Sequence, residues 1–249
     1  MPDEMKIKNI LISQPQPQNS SPYTEIISKY GVNIDFRPFF KMEPLTAKEF
    51  RTQKINILDF SAIVFTARTT IDAFFHLCEE LRVAVPETMK YFCVSEAIAF
   101  YLQKYIVYRK RKIFFGNGTQ SSIIDAIGTK HKDEKFLIAT ADNNKNDVHK
   151  LFSKTKFKFD SAVFVKTTNN DLSDLTLSKY QMTVFYSPSD VKSLLENFPD
   201  FKQGDLQIAT FGPATAKAVK EAGLEIAIMA PSPQVPSIAK ALELYLEKK

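Results

Sequence analysis

Short apolar runs alternate with amphipathic segments along most of the chain. Residues 62–66 and 182–186 are two such runs, and after each one the apolar residues recur every three to four positions, over residues 69–81 and 190–197. The runs have the length of buried strands, and the spacing that follows them predicts helices. Strands separated by helices of about ten residues indicate parallel sheets built from βαβ units, so the predicted fold class is α/β.

The same arrangement occurs twice. Residues 64–75 resemble residues 184–195, and residues 92–102 resemble residues 209–219 in their strand, small polar turn and helix. Two such arrays imply two similar domains. The first strand and helix, before residue 31, belong to neither copy and are expected to complete the second sheet. We therefore predict a discontinuous domain of residues 1–36 plus 170–249 and an inserted domain of residues 37–169.

Composition limits the class of protein. Of 249 residues, 44% are hydrophobic and 24% charged, which is ordinary for a globular protein. No apolar run reaches the roughly 18 residues of a membrane-spanning helix. The chain also does not open with the basic and apolar segments of a signal peptide. We expect a cytoplasmic protein that binds no membrane, and no coiled coil or cysteine bridge calls for more than a monomer.

The cysteines and histidines suggest no metal site. Cys78 and Cys93 each lie within an apolar run, where a buried thiol is expected. Two cysteines exclude a disulfide framework and a cysteine-rich zinc site. The three histidines are far apart and lack the spacing of metal ligands.

Positive charge is mild and uneven. The net charge is +5, and the densest basic run extends from Arg109 to Lys112. Such a run is either a solvated surface or an attractant for a polyanion, which could be nucleic acid or a small polycarboxylate. Charge alone does not separate these alternatives, although the aromatic and basic signature of an RNA-recognition module is absent from the sequence.

Small polar residues follow most predicted strands. In an open parallel sheet, ligands bind beyond the carboxyl ends of the strands, where turn hydroxyls and helix N-termini favour an anion. Such turns lie at residues 66–69, 95–97, 116–122, 140–142, 186–189, 211–215 and 231–234. A phosphate-binding P-loop, a dinucleotide-binding glycine motif and a hydrolase nucleophile elbow are all missing from the sequence.

Three segments resemble one family. Phe211-Gly-Pro-Ala-Thr-Ala-Lys-Ala-Val-Lys-Glu-Ala-Gly-Leu224, followed by Ala230-Pro-Ser-Pro233, resembles the C-terminal signature of uroporphyrinogen-III synthases. Val184-Phe-Tyr-Ser-Pro-Ser-Asp-Val191 resembles the family's strand and Ser-Pro turn, and Val64-Phe-Thr-Ala-Arg-Thr-Thr70 resembles its counterpart in the other domain. The resemblance spans nearly the whole chain. It implies two flavodoxin-like domains, each a parallel sheet with helices on both faces, joined by a two-stranded linker.

The resemblance also implies a reaction. The family cyclises hydroxymethylbilane to uroporphyrinogen III, with loss of water and inversion of ring D, in the cleft between the domains. It uses no metal and no organic cofactor. The implied partner is thus a small molecule with eight carboxylates rather than a nucleic acid, and the implied pathway is porphyrin and haem biosynthesis. The physical demands are orientation, stabilisation of a cationic intermediate and one weak general acid.

Matching positions supply the candidate site residues. Tyr186 is the candidate general acid, and the alternative is that it only packs under its turn. The predicted substrate-binding residues are Thr66, Ala67, Thr69, Ser95, Thr140, Ser187, Pro188, Gly212, Pro213, Ala214 and Thr215.

The chain departs from the family at several positions. Gln14 replaces an arginine that usually precedes the proline of the first turn, and Ser95 and Ile98 replace a glycine and a threonine. Val165 occupies the position of the tyrosine often assigned as proton donor. These departures motivate an alternative, a non-catalytic protein that binds tetrapyrroles or other polycarboxylates on the same fold. A third hypothesis is a nucleic-acid binder that uses the basic run and shows salt-dependent affinity.

Overall fold

A computed structural model describes residues 6–18, 21–142 and 147–248. The first five residues, which form part of the basis for predicting no signal peptide, lie outside that part of the chain. The strands are β1 (Asn9–Ile12), β2 (Asn33–Phe36), β3 (Phe40–Pro44), β4 (Ala62–Phe65), β5 (Lys90–Cys93), β6 (Ile113–Phe115), β7 (Lys135–Ala141), β8 (Lys158–Asn169), β9 (Met182–Phe185), β10 (Gln207–Phe211) and β11 (Ile228–Ala230). The α-helices are α1 (Pro22–Tyr30), α2 (Ala47–Arg51), α3 (Arg68–Leu81), α4 (Glu96–Tyr101), α5 (Ser122–Ile127), α6 (Asp147–Phe152), α7 (Pro188–Asn197), α8 (Pro213–Glu221) and α9 (Ile238–Leu246).

Residue contacts divide the chain into two compact units. Unit 1 runs up to Lys41 and resumes at Thr168, and unit 2 is Met42–Thr167. The chain crosses from one unit to the other within β3 and again within β8, and these two strands are neighbours in one sheet. The boundaries predicted from the sequence, after residues 36 and 169, lie a few residues from these crossings.

Each unit is built on one sheet. The sheet of unit 1 has the order β11-β10-β9-β1-β2, and all its neighbouring strands are parallel. The first strand of the chain therefore completes a sheet whose other strands come mainly from the C-terminal half. The second sheet has the order β3-β8-β7-β4-β5-β6, with parallel pairing from β8 to β6.

The two sheets have equivalent strand orders. The sheet of unit 1 has the order β2-β1-β9-β10-β11, and the second sheet, apart from its edge strand β3, has the order β8-β7-β4-β5-β6. Strands β4 and β5 therefore occupy the places of β9 and β10. This is the flavodoxin-like order, and in unit 2 the pair equivalent to β1 and β2 comes last along the chain. The repeat seen in the sequence thus places Val64 and Val184 on equivalent strands. The prediction of α/β units with flavodoxin-like sheets is confirmed.

Helices cover both faces of each sheet because strand side chains alternate between faces. In β1, Ile10 and Ile12 pack in one core with α1 and α9, whereas Leu11 packs in the opposite core with α7 and α8. In β4, Phe65 packs with α3 and α4, whereas Val64 packs with α5 and α6. Each sheet is therefore buried between two apolar layers, and its free polar groups lie at the strand ends.

One predicted strand is misplaced. The apolar run that begins at Ile106 predicts a strand over residues 106–109, but the strand at this place in the sheet is β6, which starts at Ile113. Val107 is 76% exposed, whereas Phe114 stacks on Phe92 with ring centroids 4.9 Å apart, so packing selects the apolar residues after the basic run. The basic run consequently lies at the amino end of β6, opposite the polar turns.

The two cysteines are buried as predicted. Cys78 and Cys93 lie in the core of unit 2, and burial raises the pKa of each thiol to about 12. Both thiols therefore stay protonated and unreactive at physiological pH.

Candidate functional site

Polar turns of unit 1 lie at the carboxyl ends of two neighbouring strands, β1 and β9. The connection after β1 runs over one face of the sheet and the connection after β9 over the other face, so a crevice opens between the two strand ends. Ser13 and Gln14 follow β1, and Tyr186 and Ser187 follow β9. The backbone N–H of Ser13 donates to the carbonyl of Val184 at 3.1 Å, so the two strand ends lie side by side.

Tyr186 is held by two aromatic neighbours. Its hydroxyl lies 2.7 Å from the hydroxyl of Tyr23 on α1, and its ring centroid is 5.5 Å from that of Phe211. Burial, reinforced by the bond to Tyr23, raises the pKa of Tyr186 above its ordinary value. The hydroxyl therefore keeps its proton at physiological pH and can donate a hydrogen bond.

The N-terminus of α7 is capped by the side chains of Ser187 and Asp190. The Ser187 hydroxyl accepts a hydrogen bond from the Ser189 N–H at 3.1 Å, and the Asp190 carboxylate accepts from the N–H groups of Tyr186 and Ser187 at 2.9 Å each. This reciprocal arrangement is a capping box. Pro188 has no N–H to offer. The predicted binding residues Ser187 and Pro188 thus lie at a turn whose donors are largely used internally.

The N-terminus of α8, by contrast, has no side-chain cap from the described residues. Gly212 follows β10 with φ at 87°, a conformation that favours glycine. Its N–H donates to the Ala230 carbonyl, while Pro213 and Ala214 are exposed and Thr215 is buried. Uncapped N–H groups and the helix dipole make this turn favourable for an anion.

The equivalent turns of unit 2 follow β4 and β5. Helix α3 begins after Ala67, and within the described ranges no side chain caps it. Thr66 is half-buried and Thr69 exposed, so both can be reached by a ligand. Arg68, whose guanidinium lies 5.2 Å above the Tyr101 ring, places a positive charge at this helix start, where an anion would offset it.

Ser95 occupies a different environment. It precedes α4 and lines a groove of about 660 Å³ together with Gly116 and Asn117. Glu96 and Asp125 also line the groove, and their charge disfavours a carboxylate ligand there.

The turn predicted at residues 140–142 begins only at Asp142. Thr140 lies within β7 and is 8% exposed, and its hydroxyl donates to the Ala162 carbonyl at 3.1 Å. The sheet thus extends further than expected and binds this hydroxyl. Val165 is buried in β8, so this position supplies no acid.

The structure gathers the predicted residues into two groups. In unit 1, those from Tyr186 to Pro188 and from Gly212 to Thr215 follow the neighbouring strands β9 and β10. In unit 2, Thr66, Ala67, Thr69 and Ser95 follow the neighbouring strands β4 and β5. Sequence reasoning missed Tyr23, whose partner is 163 residues away, and Asp190, although a serine three residues before an acid is a local capping pattern.

The described residues contain no group of three or more His, Cys, Asp or Glu side chains arranged to hold a metal ion. In the same part of the chain, none of the helices combines the length and the apolar character needed to cross a membrane.

Fold and site together define an α/β protein of two flavodoxin-like units whose strand-end turns favour anions. A family model described as uroporphyrinogen-III synthase HemD matches residues 21–240. A uroporphyrinogen-III synthase of Schizosaccharomyces pombe is 23% identical over 258 residues, which cover 97% of this chain and 99% of that protein. The chain belongs to the uroporphyrinogen-III synthase family.

Two solved structures share the fold. A mutant uroporphyrinogen III synthase of Thermus thermophilus aligns with a TM-score of 0.53 at 13% identity, over 97% of this chain and 100% of that one. The uroporphyrinogen-III synthetase of Helicobacter pylori aligns with a TM-score of 0.53 at 18% identity, over 98% and 100%. Family membership makes the protein an enzyme of porphyrin biosynthesis, a cyclising lyase, and favours the synthase over the non-catalytic alternative.

Proposed function

We propose that this chain cyclises hydroxymethylbilane to uroporphyrinogen III, with loss of water and inversion of ring D, and that the turns after β4 and β10 bind substrate carboxylates. The observation that carries the proposal is that α3 and α8 start uncapped, within the described residues, in the segments that carry the family resemblance. The predicted contacts Thr66, Ala67 and Thr69 belong to the first of these turns.

Binding through helix starts suits a substrate with eight carboxylates. Each favourable contact of an anion with a helix N-terminus contributes about 0.3–1 kcal/mol, and up to about 2 kcal/mol when partly buried. Several such contacts bind the substrate without a separate cation for each carboxylate. Attachment at several points also restricts the flexible chain to folded conformations in which its ends meet, which is the main demand of the reaction.

Tyr186 is the proposed proton donor. The C–O bond of the hydroxymethyl group breaks, and the oxygen leaves as water with the proton of Tyr186. The remaining pyrrole cation is stabilised by the substrate's own carboxylates. The Tyr23 hydroxyl, 2.7 Å from that of Tyr186, is placed to donate to the phenolate until the proton released by the pyrrole on ring closure returns to it through water. Two tyrosines in contact thus replace the acid that is missing at Val165.

The product isomer tests the proposed function. Hydroxymethylbilane, generated by a coupled deaminase, closes without inversion to the I isomer when no synthase is present. With this protein added, chromatography is expected to show mainly the III isomer. Formation of the I isomer alone at saturating protein contradicts the proposal.

A substitution at Tyr186 tests the proton donor. Tyr186→Phe is expected to lower kcat by about 10²-fold, because general acid catalysis contributes roughly 10²–10⁴-fold. Tyr30→Phe is the matched control, since the hydroxyl of that tyrosine at the end of α1 donates to the exposed Glu247 and its loss should leave kcat unchanged. A fully active Tyr186→Phe variant removes Tyr186 from the mechanism.

The expected cytoplasmic location and monomeric state stay predictions. Size-exclusion chromatography with light scattering tests the second, and a salt titration with DNA and RNA tests the expectation that nucleic acid is not a partner.

A further inference from the structure

Asp190 is an acid buried where the substrate-binding end of the unit 1 sheet is assembled. Its side chain is completely inaccessible to solvent. One carboxylate oxygen accepts the two backbone hydrogen bonds from Tyr186 and Ser187, each at 2.9 Å. The other oxygen, Oδ1, makes no hydrogen bond of ordinary geometry to any described residue. A buried acid with only half of its acceptors satisfied is costly, so its presence needs a reason beyond the capping of α7.

Ser13 lies on the other side of this carboxyl group. It follows β1, is 2% exposed, and its hydroxyl also lacks a hydrogen bond of ordinary geometry within the described ranges. The serine nevertheless interacts with the carboxyl and offsets part of the rise in its pKa that burial causes. Asp190 therefore joins the ends of β1 and β9, the two strands between which the crevice of unit 1 opens.

We propose that Asp190 is a positioning residue: its carboxyl group holds the Tyr186–Ser187 turn against the end of β1, and its negative charge under this turn weakens binding of the anionic substrate. The inference rests on the proposed function, because it concerns the same site. In the protonated form the carboxyl still accepts hydrogen bonds from the turn, and it donates one to Ser13. The repulsion of substrate carboxylates then disappears while the turn stays in place.

The charge state of Asp190 changes within the working range of pH. Burial raises the pKa of this carboxyl to about 6, and the three hydrogen-bonding partners offset the rise only in part. The groups that face it are the Tyr186 and Ser187 backbone on the β9 turn and Ser13 on the β1 turn; Tyr23 on α1 is reached through Tyr186. Among the described residues, Asp190 forms no ion pair with a cation. Substrate affinity is thus expected to fall as the pH rises through about 6.

The experiment compares Asp190→Asn and Asp190→Ala with the wild type. Asn keeps an acceptor for the turn but carries no charge, whereas Ala removes both. With hydroxymethylbilane as substrate, Asp190→Asn is expected to lower KM about three- to tenfold at pH 8 and to have little effect on KM at pH 5.5, where most of the wild-type carboxyl is protonated. Asp190→Ala is expected to lower kcat and the share of the III isomer, and Asn to restore both. Asp200→Asn, at an exposed loop acid, is the control for loss of one charge.

A second measurement needs neither substrate nor turnover. In two-dimensional ¹⁵N–¹H spectra of the wild type, the amide signals of Tyr186 and Ser187 are expected to titrate near pH 6, and in Asp190→Asn to stay constant. Equal KM profiles for the wild type and Asp190→Asn, or amide signals that titrate alike in both proteins, overturn the inference. If the wild type fails to make the III isomer, the proposed function is wrong, but the amide titration still tests the role of Asp190.

Discussion

Unit 1 and unit 2 differ at the third residue of the helix that follows their equivalent strands. In α7 this residue is Asp190, whose carboxylate accepts two N–H groups of the turn before it. In α3 it is Thr70, whose hydroxyl instead donates to the Ala67 carbonyl at 2.8 Å. The Asp190 carboxylate is an acceptor and binds the N–H groups before α7. The Thr70 hydroxyl acts as a donor, so the N–H groups at the start of α3 stay available. Two units with the same strand order thus differ in the chemistry of the site.

At the helix starts after β10 and β5, the next pair of equivalent strands, unit 1 is the one that favours an anion. In unit 1, α8 starts after Gly212 without a cap from the described residues and without an acid in its first turn. In unit 2, α4 starts after Ser95 with Glu96 directly behind it. Of the two helix starts compared in each unit, one therefore favours an anion, but it follows a different strand in each. Two scaffolds with equivalent strand orders thus differ, through single side chains, in which helix start favours an anion.

The largest expected effect is on stability and comes from a buried phenylalanine that both units have at the same position. Phe65 and Phe185 occupy equivalent positions and are both completely buried, Phe65 against Phe74 and Phe185 against Phe39. Phe65→Ala and Phe185→Ala are each expected to lower the free energy of unfolding by about 3–5 kcal/mol, because each leaves a cavity in a packed core. Urea titration followed by circular dichroism measures this.

Val107→Ala is the control, because Val107 is 76% exposed and its truncation should change stability by less than about 0.5 kcal/mol. A cost below about 1 kcal/mol at one phenylalanine would show that the two cores are not equivalent.

An intermediate effect is expected from the charge on Asp190. Its pKa of about 6 in the folded protein is above the value of 3.8 for the unburied group, so folding favours the protonated form. This contribution to stability is complete below pH 3.8 and is lost as the pH rises through about 6. Asp190→Asn is therefore expected to unfold nearly like the wild type near pH 4 and to be more stable by about 3 kcal/mol at pH 8.

Urea titrations of both proteins at several pH values measure this difference. Asp200→Asn, which removes an exposed acid, should show no such rise with pH. A gap between Asp190→Asn and the wild type that is constant from pH 4 to pH 8 would mean that the charge of Asp190 is not what burial penalises.

Local patterns predicted more of the fold than of the site. The alternation of apolar runs and helical spacing depends on neighbouring residues, so it identified both sheets and the equivalence of Val64 and Val184. The misplaced strand before β6 shows the limit, since Val107 and Phe114 are both suitable for a strand and only packing on Phe92 selects the second. Tyr23 and Ser13 contact residues more than 150 positions away, and no local pattern indicates such pairs.

The smallest expected effect comes from giving unit 2 the closed helix start of unit 1. Thr70→Asn places a neutral acceptor at the position equivalent to Asp190, where it can bind the N–H groups before α3. If these groups bind a substrate carboxylate, their loss costs at least about 1.4 kcal/mol, because hydrogen bonds to charged groups contribute about 1.5–3 kcal/mol each. KM for hydroxymethylbilane is then expected to rise about tenfold, with little change in kcat.

Thr70→Asp adds a charge to the same change and is expected to raise KM further, particularly above the pKa of the new carboxyl. Thr70→Val is the matched control, because it keeps the volume of a side chain that is only 2% exposed and offers no acceptor. Melting curves separate a loss of folding from a loss of affinity in all three variants. An unchanged KM in a folded Thr70→Asn protein means that the open start of α3 does not bind the substrate, and the difference between the two units at this position then concerns helix stability alone.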